Sequence, residues 1–108
     1  MSFEDFLAEV KKNPVDQTRT WKENYAEVVI TKDVLGPLTS LFDSYFGRPL
    51  KPPGESASKD AGNYSKAYGG VEKNQTLYFR KNGNGHELAM LWPWTDEASI
   101  TVKIIRDK

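Results

Sequence analysis

Apolar residues recur along this chain with two different periods, and the periods divide it into helices and strands. Phe3, Phe6, Leu7 and Val10 follow i, i+3, i+4, i+7 spacing, which lays one stripe on an α-helix. Ser2 stands at the N-cap with Asp5 three residues on, a variant of the capping box. Lys11 and Lys12 fall in the last turn, where the helix dipole favours cations, and Asn13-Pro14 ends the pattern. A second stripe runs through Leu38, Leu41, Phe42, Tyr45 and Phe46. Gly36 breaks the chain before it, Pro37 suits the first helical position, and Gly47 follows the last turn. Its aromatic residues read as core.

Between the helices, Tyr25 to Thr31 holds the β-branched run Val28-Val29-Ile30 and predicts a strand. Apolar residues in succession place bulk on both of its faces, so the strand is central or covered twice. Just upstream, Thr20-Trp21-Lys22-Glu23 matches a capping box and predicts one helical turn, with Trp21 as a core plug.

The C-terminal third alternates with a period near two. Gln75 to Lys81 and His86 to Trp92 read as strands joined through Asn82-Gly83-Asn84-Gly85, since Asn-Gly supplies the positive φ that tight hairpins need. Setting Lys81 opposite His86 brings Arg80 to Glu87, Phe79 to Leu88 and Leu77 to Met90, pairing charge with charge and apolar with apolar. Trp92-Pro93-Trp94 ends the second strand, Thr95 to Ala98 turns the chain, and Ser99 to Arg106 forms the last strand. Phe79, Met90 and Val102 are expected to point together into one interior. The opposite face carries Tyr78, Arg80, Ala89 and Leu91, which is apolar enough to need a cover.

Residues 47–74 show neither period and are rich in Pro, Gly, Ser and Lys. Irregular stretches this long inside a compact domain are usually functional or unstructured. The whole reading is a single α+β domain spanning 1–108. Two helices pack on an antiparallel sheet of about four strands, in the order α-β-α-loop-β-β-β.

Charge and composition narrow the chemistry. The chain has no cysteine and one histidine, which removes disulfides, thiolate nucleophiles and sulfur-ligated zinc, and leaves no expected metal or cofactor. The acidic start Met1-Ser2-Phe3-Glu4-Asp5 has no apolar leader segment, and no run approaches a membrane span, so a cytoplasmic, membrane-free protein is expected. Net charge is zero, but residues 47–86 hold 7 Lys/Arg against 3 Asp/Glu, so the irregular stretch and the hairpin are locally basic.

Three functional classes follow. The first is a non-catalytic binding or protein-interaction domain. It uses the basic, Tyr-containing loop 47–74 and the adjacent sheet face, through Arg48, Lys51, Tyr64, Lys66, Tyr68, Tyr78, Arg80 and His86. Its partner is an acidic protein surface or a small anionic ligand. The second is a small enzyme with His86 as acid or base and Arg80 as anion anchor. The third is a single-strand nucleic-acid binder stacking bases on Tyr64, Tyr68 and Tyr78 beside lysines. The neutral overall charge counts against the third. No phosphate loop or dinucleotide fingerprint occurs, because Gly83-Asn84-Gly85 opens a strand and lacks a third glycine. Arg48 to Pro53 contains a P-x-x-P, which reads as a stiff segment leaving a helix rather than as a ligand for a proline-binding groove.

Overall fold

The computed structural model describes residues 1–83 and 85–107. A five-stranded antiparallel sheet runs through its centre in the order β1-β2-β5-β4-β3. The strands are β1 (Gln17–Trp21), β2 (Tyr25–Thr31), β3 (Thr76–Asn82), β4 (Gly85–Pro93) and β5 (Ser99–Asp107). The helices are α1 (Phe3–Lys11), α2 (Leu35–Phe46) and α3 (Lys59–Ser65). The α+β class holds, with three helices and five strands rather than two and four.

Both amphipathic helices form where the apolar stripes place them. Ser2 caps α1: its hydroxyl accepts the Asp5 N–H, and the Asp5 carboxylate accepts the Ser2 N–H. A 3-10 turn, Lys32–Val34, leads directly into α2, so Pro37 sits inside its first turn rather than at its first residue. Gly47 ends α2 with φ of 84°, a conformation side chains disfavour.

Two local expectations fail. Thr20-Trp21 belongs to β1, not to a helical turn, and β1 pairs with β2 across a bulge between Thr18 and Thr20. Thr18, Thr20 and Trp21 fit a pleated, half-covered edge, and that tertiary pairing overrides the local capping pattern. The stretch 47–74 is not structureless either. Ser58 caps α3 by accepting the Ala61 N–H, and a second 3-10 turn spans Lys66–Tyr68. Lys51 joins the edge of β3, exchanging both backbone hydrogen bonds with Leu77 at 3.1 and 3.0 Å.

The hairpin register is the one the charges select: Arg80 opposite Glu87, Phe79 opposite Leu88, Leu77 opposite Met90 and Lys81 opposite His86. Asn82 also pairs with Gly85. Gly83 takes a φ of 65°, and Asn84 lies outside the described residues. Lys108 lies outside them too.

The expectation of one shared interior for Phe79, Met90 and Val102 is overturned. Met90 stands opposite Lys103 and Leu91 opposite Val102, so Val102 projects from the other side of the sheet. Each side has its own core. Tyr78, Ala89, Leu91, Ile100, Val102 and Ile104 pack under α1 and α2 with Ala26, Val28 and Ile30. Leu77, Leu88, Met90 and Ile105 pack with Ala61 of α3, flanked by Tyr64, Tyr68, Phe79 and Trp92. The face bearing Tyr78 and Leu91, which sequence left wanting a cover, is the one the two long helices bury.

Candidate functional site

Strand parity distributes the predicted site residues before any chemistry is considered. Successive side chains alternate between faces, so Arg80 and its partner Glu87 point toward α2 while Lys81 and His86 point the other way. Arg80 and His86 therefore cannot meet at one site, and the joint acid–base and anchor arrangement is not assembled.

On the α2 side, Glu87 is wholly buried and multiply bonded. Tyr45 of α2 donates its hydroxyl to Glu87 Oε1 at 2.5 Å, Asn82 donates to Oε2 at 2.9 Å, and Arg80 Nε lies 3.7 Å from Oε1. Arg80 also donates to the Tyr45 carbonyl at 3.1 Å and covers the Tyr45 ring at 4.4 Å. Burial, reinforced by the Glu87 carboxylate, pushes the Tyr45 hydroxyl well above its ordinary pKa. Both Glu87 oxygens and the Arg80 Nε and Nη1 groups are engaged internally, so Arg80, 38% exposed at its side chain, neutralises a buried carboxylate.

Lys51 is similarly committed. It is 1% exposed, and its ammonium donates to the carbonyls of Pro52 at 3.0 Å, Lys73 at 2.6 Å and Gln75. Burial lowers its pKa. Its three protons tie both ends of the 52–75 stretch to the sheet edge, and it offers no charge to a partner.

On the α3 side three of the predicted residues do converge. Tyr64 stacks on Phe79 with ring centroids 4.0 Å apart, and the His86 ring lies 5.8 Å from Tyr64 and 5.6 Å from Phe79. Tyr68 donates to Asp107 Oδ2 at 3.4 Å, and His86 Nε2 stands 3.6 Å from the same oxygen. These rings face one another rather than forming open platforms, and none of them lines any of the three cavities described. Lys66 is exposed in the 3-10 turn after α3, and Arg48 is exposed in the turn after α2. Among the described residues, no group of three or more His, Asp or Glu is placed to hold a metal ion, and no helix is long and apolar enough to cross a membrane.

The concave surface lies elsewhere, at the end of the sheet where α2 begins. A cavity of about 300 Å³ is bounded by Leu35, Thr39 and Asp43 of α2, Pro49 and Pro53 of the irregular stretch, and Thr76, Tyr78, Leu91 and Ile100 of the sheet. A second cavity of about 540 Å³ adjoins it, lined by Lys32, Trp94, Thr95, Glu97 and Ser99 among others. The two share Leu35, Asn74, Pro93 and Ile100, so they are neighbouring lobes of one groove. Its floor is apolar. Most of its exposed lining is apolar, with polar groups supplied by Thr39, Asp43, Asn74 and Thr76 in the smaller lobe and Lys32, Thr95, Glu97 and Ser99 in the larger, a mixture found in small-molecule sites.

Local chain geometry builds the groove. Pro93 is the last residue of β4, and the chain then turns back, with Trp94 N–H bonded to the Ser99 carbonyl at 2.9 Å. Trp94 is 39% exposed, with its indole N–H donated to Thr101 Oγ1 at 2.8 Å and the Arg19 guanidinium 5.6 Å from the ring. The opposite wall stands because Lys51 pins the 49–53 turn to β3. Tyr78 is the predicted site residue that lines the groove. Its buried hydroxyl donates to Asp43 Oδ1 at 2.8 Å, and burial followed by that carboxylate raises its pKa far above the ordinary value.

Sequence reasoning missed Leu35, Asp43, Leu91, Pro93 and Ile100 because they come together only through tertiary packing. The Trp92-Pro93-Trp94 run, with two tryptophans straddling a strand end, was the signal closest to the site. No protein-family model, no curated protein and no solved structure matches the chain.

Proposed function

We propose that this chain is a non-catalytic binding domain whose ligand lies in the groove between α2, the 49–53 turn and the β4–β5 end. The observation that carries the reading is the groove itself. Its two adjoining lobes of about 300 and 540 Å³ fall in the size range of ordinary ligand sites, and one wall is formed by the proline-rich stretch. The reading keeps the binding role expected of residues 47–74, but transfers the contacts from its lysines to Pro49, Pro53 and Asn74. The test is a fragment screen followed by amide-shift mapping on the labelled protein. Ligands of the groove are expected to move the amides of Leu35, Thr39, Tyr78, Leu91 and Ile100. Hits that move only residues around Tyr64 and His86, or no hits at all, would contradict it.

A second reading keeps an acidic protein surface as partner, docked on the α3 side. It is favoured by one observation, the gathering of Tyr64, Tyr68 and His86 at the hairpin end with Lys81 and Lys66 exposed nearby. It predicts that an acidic peptide moves the His86 and Tyr64 resonances and leaves the groove untouched. Base stacking gains no support, since Tyr64 is already stacked on Phe79 and Tyr78 is interior.

A further inference from the structure

We infer that the ligand of this groove carries a cationic group, most simply an amine on an apolar body, and that the Asp43 carboxylate is its anchor. The inference rests on the groove reading above and adds the chemistry of the occupant. The smaller lobe contains a single formal charge, Asp43. The larger lobe contains Lys32 and Glu97, which cancel. None of the three has an ion-pair partner within 4.0 Å among the described residues. The groove as a whole is therefore acidic by one charge, and the excess sits in the apolar lobe.

Asp43 is also held in position. It projects from the second half of α2, and the buried Tyr78 hydroxyl fixes Oδ1 at 2.8 Å. Tyr78 is 2% exposed and packs edge-on to Phe42 at 5.5 Å, so this hydrogen-bond donor does not wander. The second carboxylate oxygen makes no hydrogen bond or ion pair among the described residues. Asp43 is exposed, and a carboxylate oriented by a rigid donor on the wall of a cavity also lined by Leu91, Ile100 and Leu35 suits an ammonium whose attached carbon chain reaches those side chains. An anionic ligand, the partner the basic middle of the sequence favours, meets repulsion at the same point.

The experiment compares three probes with one body: phenylbutylamine, phenylbutanol and phenylbutyrate. Each is titrated into the full labelled chain and into Asp43→Asn, which preserves an acceptor for Tyr78. In the parent protein the amine is expected to move the groove amides and to bind about fivefold tighter than the alcohol, with the acid weakest. That order collapses in Asp43→Asn, and shrinks in the parent protein at about 0.5 M salt. Equal binding of all three in the groove, or an amine preference that survives in Asp43→Asn, overturns the cationic assignment alone. Failure of every probe to move the groove amides overturns the assignment together with the groove reading.

Discussion

On one side of the sheet, α1 and α2 lay a continuous aromatic layer over Tyr78, Leu91, Val102 and Ile104. Phe6 lies 5.3 Å from both Phe42 and Phe46 and stacks on Tyr45 at 4.3 Å. On the other side, a helix of seven residues covers Leu77, Leu88, Met90 and Ile105, and the rest is shielded by individual devices. Gly69 rests its backbone against the Trp92 indole, Lys103 sits 3.7 Å over the same ring, and Arg19 reaches across Trp94. The first side is sealed by regular periodicity, the second by chain that must be pinned in place. The first side buries the larger cluster, while the pinned chain also shapes the groove wall.

The strongest way to break this contrast is Phe42→Ala, which removes a wholly buried ring in contact with Phe6, Phe46 and Tyr78. It is expected to cost about 3–5 kcal/mol in urea unfolding. A loss below about 1 kcal/mol would mean that the aromatic layer is not the main core. Next is Lys51→Met, which removes three hydrogen bonds to carbonyls but keeps most of the packing volume. A loss of about 1–3 kcal/mol is expected, with faster amide exchange at Lys51 and Leu77 and unchanged protection in α1. Equal acceleration in α1 would show that the staple is not local.

Gly69→Ala should cost about 1–2 kcal/mol. The residue has φ of 103°, and a Cβ there would come 2.9 Å from the Trp92 ring. Tryptophan fluorescence should shift with it, and a neutral substitution would show that the contact is loose. The smallest effect is an alkaline one. Tyr78 and Tyr45 have pKa values raised by burial, and Tyr25 is raised to about 12 by burial and by its hydrogen bond to Glu27. A tyrosine whose pKa is higher folded than unfolded contributes stability in full below about pH 10, and that contribution is lost as pH climbs through the folded value. Unfolding midpoints should therefore fall above pH 10, and Tyr78→Phe should flatten the decline. A decline of unchanged steepness in that variant would remove Tyr78 from the account.

Sequence made the first side legible and left the second obscure, for physical reasons that particular residues display. The stripes of α1 and α2 are long enough for a 3.6-residue period to be unmistakable. The hairpin register follows from local charge pairing, because Arg80 meets Glu87 in only one alignment. Parity between β4 and β5 is not local in this way. Their connection, Trp94 to Ala98, carries no tight-turn signal that fixes which residue of one faces which of the other. Ile104-Ile105 is apolar on both faces, so alternation could not settle it. The result was a misplaced Val102. Helix α3 hid for a different reason: Gly62 and Asn63 lower its helical propensity, and it forms because Ala61 and Tyr64 find apolar surface to cover. The groove was the least legible feature, since its walls come from four separate parts of the chain.

The sheet carries a buried core on each face, with Tyr78 and His86 on opposite sides. An aromatic NOESY spectrum tests this arrangement most directly. Cross-peaks are expected between Tyr78 and both Phe42 and Phe46, and separately between Tyr64 and both Phe79 and His86. Cross-peaks linking Tyr64 or His86 to Phe42, with none from Tyr78, would place the rings on one face and contradict it.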